Sequence, residues 1–281
     1  MADDPATTAA AAADIEVPNR VSDMTLDNYR FPTHRLRMQQ EDPERTPLVL
    51  VACGSFSPVT ILHLRMFEMS NDYTRINTKY EVVGGYFSPV SYFYKKKGLA
   101  PSHHRVRMCE LATEETKDWI MVDPWEALQP AYSPTAAVLD HFDHEINQVL
   151  GGVFSADGET RRPVKIMLLA GADLIDTMST PGVWADQDLN HILGDFGAII
   201  IERSGIDMKE ALANLKPWED NIHVVPQLIA NDVSSTKVRL FLKRDMSIKW
   251  ITPHSVVEYM KENRLYLDDD MDQQEKGKEK A

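Results

Sequence analysis

The stretch "LVLVACGSFSPVTILHLRMFE", Leu48 to Glu68, decides how this chain folds. Its first part, Leu48–Gly54, is apolar without alternation. That predicts a strand covered on both faces, not one with a wet side. Beyond it, Leu62, Met66, Met69 and Tyr73 recur at helical spacing and predict a helix. Between the two lies a turn holding Ser55, Phe56, Ser57, Pro58 and Thr60, with His63 where the helix begins. A turn that only reverses the chain has no need of that histidine.

The same alternation runs on. Strands are predicted over 80–90 and 119–123, in "VKIMLLA", in "GAIIIERSG" and in "NIHVVPQ". Helices are predicted in "SHHRVRMCELATEET", with Ser102 a candidate N-cap, in "SPTAAVLDHFDHEINQVL", "WADQDLNHILGDF", "MKEALANLK", "SSTKVRLFLKRD" and "TPHSVVEYMKENRLY". "GADL" reads as the loop after its strand, and 151–163, "GGVFSADGETRRP", as a flexible loop. Alternating strands and helices with wholly apolar strands define an α/β chain with a parallel sheet and helices on both faces. Residues 1–46, rich in Ala, Thr, Asp and Pro, read as a mostly disordered extension, although "NYRFPTHRLRMQ" could fold onto the body. A single domain is expected over 47–267, followed by a disordered charged tail, 268–281.

The 281 residues, 43% of them hydrophobic, suffice for one sizeable core. A net charge of −13 excludes a general nucleic-acid binder, which would be basic. Much of that acidity sits at the ends: nine acidic residues against five arginines over 1–46, and six against three lysines over 268–281. A locally basic site therefore remains open. Cys53 and Cys109 cannot build a disulfide framework and read as buried, reduced thiols. The N-terminus lacks the pattern of a signal or transit peptide, and no apolar run reaches membrane-spanning length. The expectation is an intracellular protein of cytoplasm or nucleus, not secreted, with neither membrane nor nucleic-acid partner.

In a parallel sheet, ligands bind beyond the carboxyl ends of the strands. At the first exit, Gly54 permits a close turn, and the N–H groups of Ser55 and Phe56 could face an anion at a helix N-terminus. This is neither a P-loop nor a dinucleotide fingerprint. Taken alone it fits an ordinary strand-to-helix turn as well. The second exit is "NDVSSTKVR": Ser234, Ser235 and Thr236 precede a helix, and Lys237 and Arg239 put cations near its N-terminus. The helix dipole disfavours cations there, unless a polyanion sits between. A plain Ser/Thr cap with surface charges is the competing reading. "YKKKGL", Tyr94–Leu99, is a basic loop that could hold a second phosphate or be a solvated patch. Asp173, in "GADL", could bind an amide or ribose or sit near a metal, and Trp184 could stack on a planar ring or fill the core. His141 and His144 lie three apart on one helix with no further metal ligands in view.

Together, "GSFSPVTILHL", "SPVSYFYKKKGL", "HRVRMCELA", "WEALQ", "GADL" and "NIHVVPQLIANDVSSTKVR", in this order and followed by the closing helix, resemble the eukaryotic nicotinamide/nicotinate-mononucleotide adenylyltransferase family of the nucleotidylyltransferase superfamily. The resemblance covers roughly residues 47 to 267. It implies a Rossmann-like fold of nucleotidylyltransferase type, with ATP and nicotinamide or nicotinate mononucleotide as substrates. NAD or deamido-NAD and pyrophosphate would be the products, Mg²⁺ would accompany ATP, and the protein would be a homo-oligomer. Thr60 stands where the group's earlier histidine is replaced, and His63 matches the retained one. Ser57 stands where Asn or Asp is common.

By the same resemblance Gly54, Ser55 and Phe56 line the dinucleotide site, and His63, Thr236, Lys237, Val238 and Arg239 hold ATP phosphates. Lys96 reaches the mononucleotide phosphate, and Thr135 binds the nicotinamide end. Tyr132 takes a position often held by Trp, and Gly171, Asp173, Trp184, Arg203 and Asn231 make the remaining nucleotide contacts. No metal-ligating residues are expected in the chain. The loop at 151–163 is short and carries only Arg161 and Arg162, so the basic nuclear-targeting insertion of animal members has no counterpart here. The chemistry implied needs no protein nucleophile. The acceptor brings an ionised phosphate oxygen, and His63 and Arg239 would stabilise charge at the phosphorus under attack. Two rival readings are an adenylyl- or cytidylyltransferase with another acceptor, such as a pantetheine phosphate, and a non-catalytic nucleotide-binding or chaperone-like protein.

Overall fold

The computed structural model describes residues 24–94, 96–116, 119–203 and 207–267. The expected disordered stretches 1–23 and 268–281, Lys95, and the Ser204–Gly205 part of one strand exit lie outside the described residues. In chain order the strands are β1 (Thr46–Gly54), β2 (Tyr80–Pro89), β3 (Ile120–Val122), β4 (Val153–Phe154), β5 (Arg161–Arg162), β6 (Lys165–Gly171), β7 (Ala198–Ile201) and β8 (Ile222–Val225). The helices are α1 (Ile61–Asn77), α2 (Ser102–Thr116), α3 (Trp125–Leu128), α4 (Thr135–Asp143), α5 (Ala172–Ser179), α6 (Asp186–Leu189), α7 (Met208–Leu212), α8 (Ser235–Lys243) and α9 (His254–Glu262). A π turn continues α4 through Val149, and another continues α6 through Phe196.

Six strands form one parallel sheet in the order β3-β2-β1-β6-β7-β8. The continuous apolar run of β1 has a direct cause. Val49 and Val51 pack with Val138, Leu139 and Phe142 of α4 and Ile175 of α5, while Leu48, Leu50 and Ala52 pack with Phe67 of α1 and Met108 and Cys109 of α2. Both faces are therefore core. Each large side chain buried there contributes about 1.5–3 kcal/mol relative to exposure, so β1 tolerates a polar residue poorly. The chain winds outward from β1 through β2 and β3 on one side and from β6 through β7 and β8 on the other. The order reverses between β1 and β6, and a crevice opens at such a switch point beyond the strand ends, between Gly54 and Gly171.

Three expectations are corrected. The body begins well before residue 47. Leu36 is in the core, Arg35 Nη1 donates to the Thr113 and Ile120 carbonyls at 2.8 and 2.9 Å, and Arg37 pairs with Glu81 at 2.8 Å. Tyr29 OH donates to the buried Asp123 at 2.9 Å, and Asp123 also holds His141 at 3.0 Å. His141 is thus a structural residue. The aromatic and arginine side chains of 29–37 find partners on β2 and β3 that the Ala/Thr-rich start cannot offer. Second, the expected loop at 151–163 contains the hairpin β4–β5, with Val153 fully buried and Arg161 over the Phe154 ring at 3.8 Å. Third, "GADL" is helical from Ala172, the first turn of α5. Cys53 and Cys109 are both free, and burial raises the pKa of each thiol, which makes them poor nucleophiles.

Candidate nucleotide-transfer site

The crevice at the switch point is a cavity of about 480 Å³. Gly54, Ser55, Phe56 and His63 line it from the β1–α1 turn, Gly171 and Asp173 from the β6–α5 junction, and Arg203 from beyond β7. Ser234, Ser235, Thr236 and Arg239 line it from the start of α8, and Lys96 from the loop after β2.

The β1–α1 turn is built by its own side chains. Phe56 adopts φ +42, a left-handed conformation that costs a non-glycine residue of order 1–3 kcal/mol. The ring folds back over Gly54, where an added Cβ would lie 2.9 Å from it; this is why residue 54 is glycine. Thr60 caps α1, and His63 completes the capping box by accepting the Thr60 N–H on Nδ1 at 2.9 Å. That bond assigns the proton of the neutral ring to Nε2. Burial and the positive charge of Arg203 lower the pKa of His63 to about 4. At pH 7 the imidazole is a neutral donor, half-buried, with Phe56 edge-on at 5.2 Å.

Arg239 leaves α8 and turns back toward the β1–α1 turn. Its Nη1 donates to the Ser57 carbonyl at 2.7 Å and its Nη2 to Thr236 Oγ1 at 3.4 Å. Gly98, at φ +75, makes room beside it: a Cβ there would stand 3.4 Å from Arg239 Nε. The cation at the wrong end of a helix is therefore held in place before any anion arrives. Ser235 Oγ donates to the Pro58 carbonyl at 2.8 Å, which joins α8 to the same turn. Arg203 is ion-paired with Asp173 across the cavity mouth.

The remaining sequence-derived residues are distributed differently. Val238 is fully buried in the core and its N–H donates to the Ser234 carbonyl at 3.0 Å, so neither its side chain nor its amide proton is free for a phosphate. Lys237 does not line the cavity, and its ammonium pairs with Asp232. Its cation thus has a local reason to sit there. Asn231 lies in the neighbouring hollow between α1 and the segment after β8, and its Oδ1 accepts the Val233 N–H at 3.0 Å to set the approach to α8. Tyr132 is exposed and near-parallel to Tyr94 at 6.1 Å. Thr135 opens α4, and Trp184 donates to Thr177 Oγ1 at 3.3 Å. None of these three lines the cavity.

The sequence left Arg105 unmarked. It is 1% exposed, and its guanidinium donates to the carbonyls of Ala100, Ser55, Val90 and Ser91 at 2.6–3.3 Å. It thereby locks the β1 and β2 exits together. Arg105 shares the buried face of α2 with Met108, Cys109 and Ala112 at helical spacing, and an arginine in line with those apolar residues is the signal that could have found it. Among the described residues, no group of three or more His, Cys, Asp or Glu is arranged to hold a metal ion. The lining supplies two acidic side chains, Asp173 and Glu202.

Fold and cleft define the class: a doubly wound parallel sheet whose switch point presents a helix N-terminus, a neutral histidine and an anchored arginine to one cavity. The chain belongs to the cytidylyltransferase-like family, whose model matches residues 51–241, and within it to the nicotinamide/nicotinic acid mononucleotide adenylyltransferases. It is 57% identical over 258 residues to the Schizosaccharomyces pombe protein of that name, covering 90% of this chain and 70% of the relative. With "Nicotinamide/nicotinic acid mononucleotide adenylyltransferase 1" of Saccharomyces cerevisiae it shares 56% identity over 258 residues, 90% of this chain and 64% of the relative. The bovine protein of the same name is 39% identical over 80% of this chain and 91% of its own. The chain thus spans just under two thirds of the length of the Saccharomyces relatives it matches.

Proposed function

We propose that this protein transfers the adenylyl group of ATP to nicotinamide mononucleotide or nicotinate mononucleotide, forming NAD or deamido-NAD and releasing pyrophosphate. The observation that carries the reading is the convergence of His63, Arg239, Thr236 and Lys96, from three separate segments, on one cavity at the switch point. Three are donors suited to phosphate oxygens, and Lys96 enters from its own loop, as a second phosphate group would require.

On this reading the acceptor's phosphate oxygen attacks the α-phosphorus of ATP and pyrophosphate departs. His63 Nε2–H donates to the oxygens that gain charge, as a neutral group whose orientation the Thr60 bond already sets. Arg239, held by the Ser57 carbonyl, adds fixed positive charge. Catalysis is positioning and electrostatic stabilisation, with no protein nucleophile. Mg²⁺ fits as an ion that arrives on the triphosphate, since such ions commonly take one or two carboxylates plus phosphate oxygens, and Asp173 and Glu202 are the carboxylates at hand. Bound there, it would shield the β- and γ-phosphate charge. Assembly into a homo-oligomer is part of the same proposal, and light scattering on the purified protein reads it.

Incubation with ATP, Mg²⁺ and each acceptor in turn tests the function. NAD from nicotinamide mononucleotide, or deamido-NAD from the acid, is the expected product. Pyrophosphate release only with pantetheine phosphate would replace the acceptor. ATP binding without turnover on any acceptor would leave a non-catalytic nucleotide-binding protein.

A further inference from the structure

Ser57 is fully buried, yet it is a small polar residue at the centre of the cavity-lining turn. Its Oγ accepts the Ala100 N–H at 2.9 Å and shares a 2.6 Å hydrogen bond with the hydroxyl of Tyr266. Its carbonyl accepts from Arg239 at 2.7 Å. Tyr266 lies 209 residues further on in the chain, past the end of α9, and is 4% exposed at φ +66. A bulky side chain in that conformation is an outlier that local sequence does not favour, so tertiary contacts hold it. Burial raises the pKa of the phenol, which stays protonated, and the charges of Arg239 and Arg105 both act on it. The last turn of the fold therefore reaches the same residue that anchors the cation of the cavity.

We infer that Tyr266 is a positioning residue of the nucleotide site, acting through Ser57 to hold Arg239 at the phosphates. The inference rests on the proposed reading of the cavity as the ATP site, but not on the identity of the acceptor. The Ser57 side chain is fixed from two directions, by Ala100 and Tyr266. Removing the tyrosine hydroxyl leaves the Ser57 side chain held from one direction only, by Ala100, and loosens the turn whose carbonyl fixes the guanidinium. A neutral hydrogen bond of this kind is modest in stability, but a misdirected arginine loses a charge-assisted contact with phosphate.

Tyr266→Phe keeps the ring and its packing and deletes only the hydroxyl. ATP affinity, read by titration calorimetry on the intact protein, is expected to weaken about fivefold to tenfold, the range of one mis-set hydrogen bond. Ser57→Ala removes the same bond from its other end together with the acceptor of the Ala100 N–H, and should weaken ATP binding at least as much. In an Arg239→Lys background, which has lost the fork that Ser57 anchors, Tyr266→Phe should change ATP affinity by less than about twofold. A purely structural tyrosine would lower the melting temperature without that dependence on Arg239. ATP affinity unchanged in both Tyr266→Phe and Ser57→Ala overturns the inference, as does an equal loss in the wild-type and Arg239→Lys backgrounds. Because calorimetry with ATP needs no acceptor, a failure to form NAD counts against the proposed reaction and leaves this result standing.

Discussion

The two halves of the cleft are built in different ways. On the side proposed to take the polyphosphate, the β1–α1 turn and the start of α8 are fastened to each other by Arg239 to Ser57 and Ser235 to Pro58, and the turn is braced within itself by Thr60 to His63. On the far side, Tyr132, Thr135 and Trp184 come from the α3–α4 loop, the head of α4 and the α5–α6 loop, and none lines the cavity. Their nearest partners are Tyr94 for Tyr132 and Thr177 for Trp184. The first half is preorganised for charge. The second is a set of exposed or half-buried groups that a planar ring could rearrange without disturbing the sheet. Preorganised donors act on the chemical step, because they need no rearrangement when charge develops. Contacts formed the same way in ground and transition state act on binding.

That contrast can be broken experimentally. The largest effect is expected at His63. Its replacement by alanine removes a fixed donor and should lower kcat at least about a hundredfold, with the KM for the mononucleotide little changed. Near-normal turnover in the folded variant would remove the histidine from the chemistry. Next comes Lys96→Ala, which should raise the mononucleotide KM about tenfold at nearly constant kcat, the signature of lost uniform binding. A fall in kcat with KM unmoved would place Lys96 on the preorganised side instead.

The smallest effect concerns pH. His63 has a folded pKa near 4 against an ordinary 6.5, because burial and Arg203 disfavour its charged form. The unfolded chain takes up that proton below the ordinary value and the folded chain does so only near the lowered one. The contribution of His63 to stability is thus fully present above pH 6.5 and declines as the pH falls toward 4. His63→Gln should flatten that part of the thermal-stability profile. The imidazole resonances of His63 should report a neutral ring from about pH 8 down to about pH 5, and a titration centred near the ordinary value would contradict the buried geometry.

Much of the preorganised half was legible in the sequence because each part is local. A strand ending in glycine, a histidine at the start of a helix and a Ser/Thr cap followed by basic residues are each written within a few positions. What could not be read there was how the parts close on each other. Lys237 and Arg239 are two positions apart and looked equivalent as phosphate ligands. The helix turns Lys237 toward Asp232 and Arg239 toward Ser57. Val238 between them faces the core, since its position on α8 points at the sheet. Arg105 was invisible because its partners are four backbone carbonyls, which carry no sequence signature. The segment 24–46 read as part of an extension of which only "NYRFPTHRLRMQ" could fold onto the body, yet its arginines donate to carbonyls of α2, β2 and β3, and its Pro32 carbonyl accepts from Tyr86 of β2.

By itself, then, the sequence determined the alternation of buried strands and covering helices, the direction of the sheet, and the residue types gathered at its carboxyl edge. Periodicity and capping are short-range properties that a single segment carries alone. Only the tertiary structure decided that Arg239 is fastened to the first turn, that burial and Arg203 keep His63 neutral, and that a tyrosine at the far end of the domain bonds the serine of that turn. Each of those depends on contacts between segments tens to hundreds of residues apart, and on the burial that makes such contacts strong.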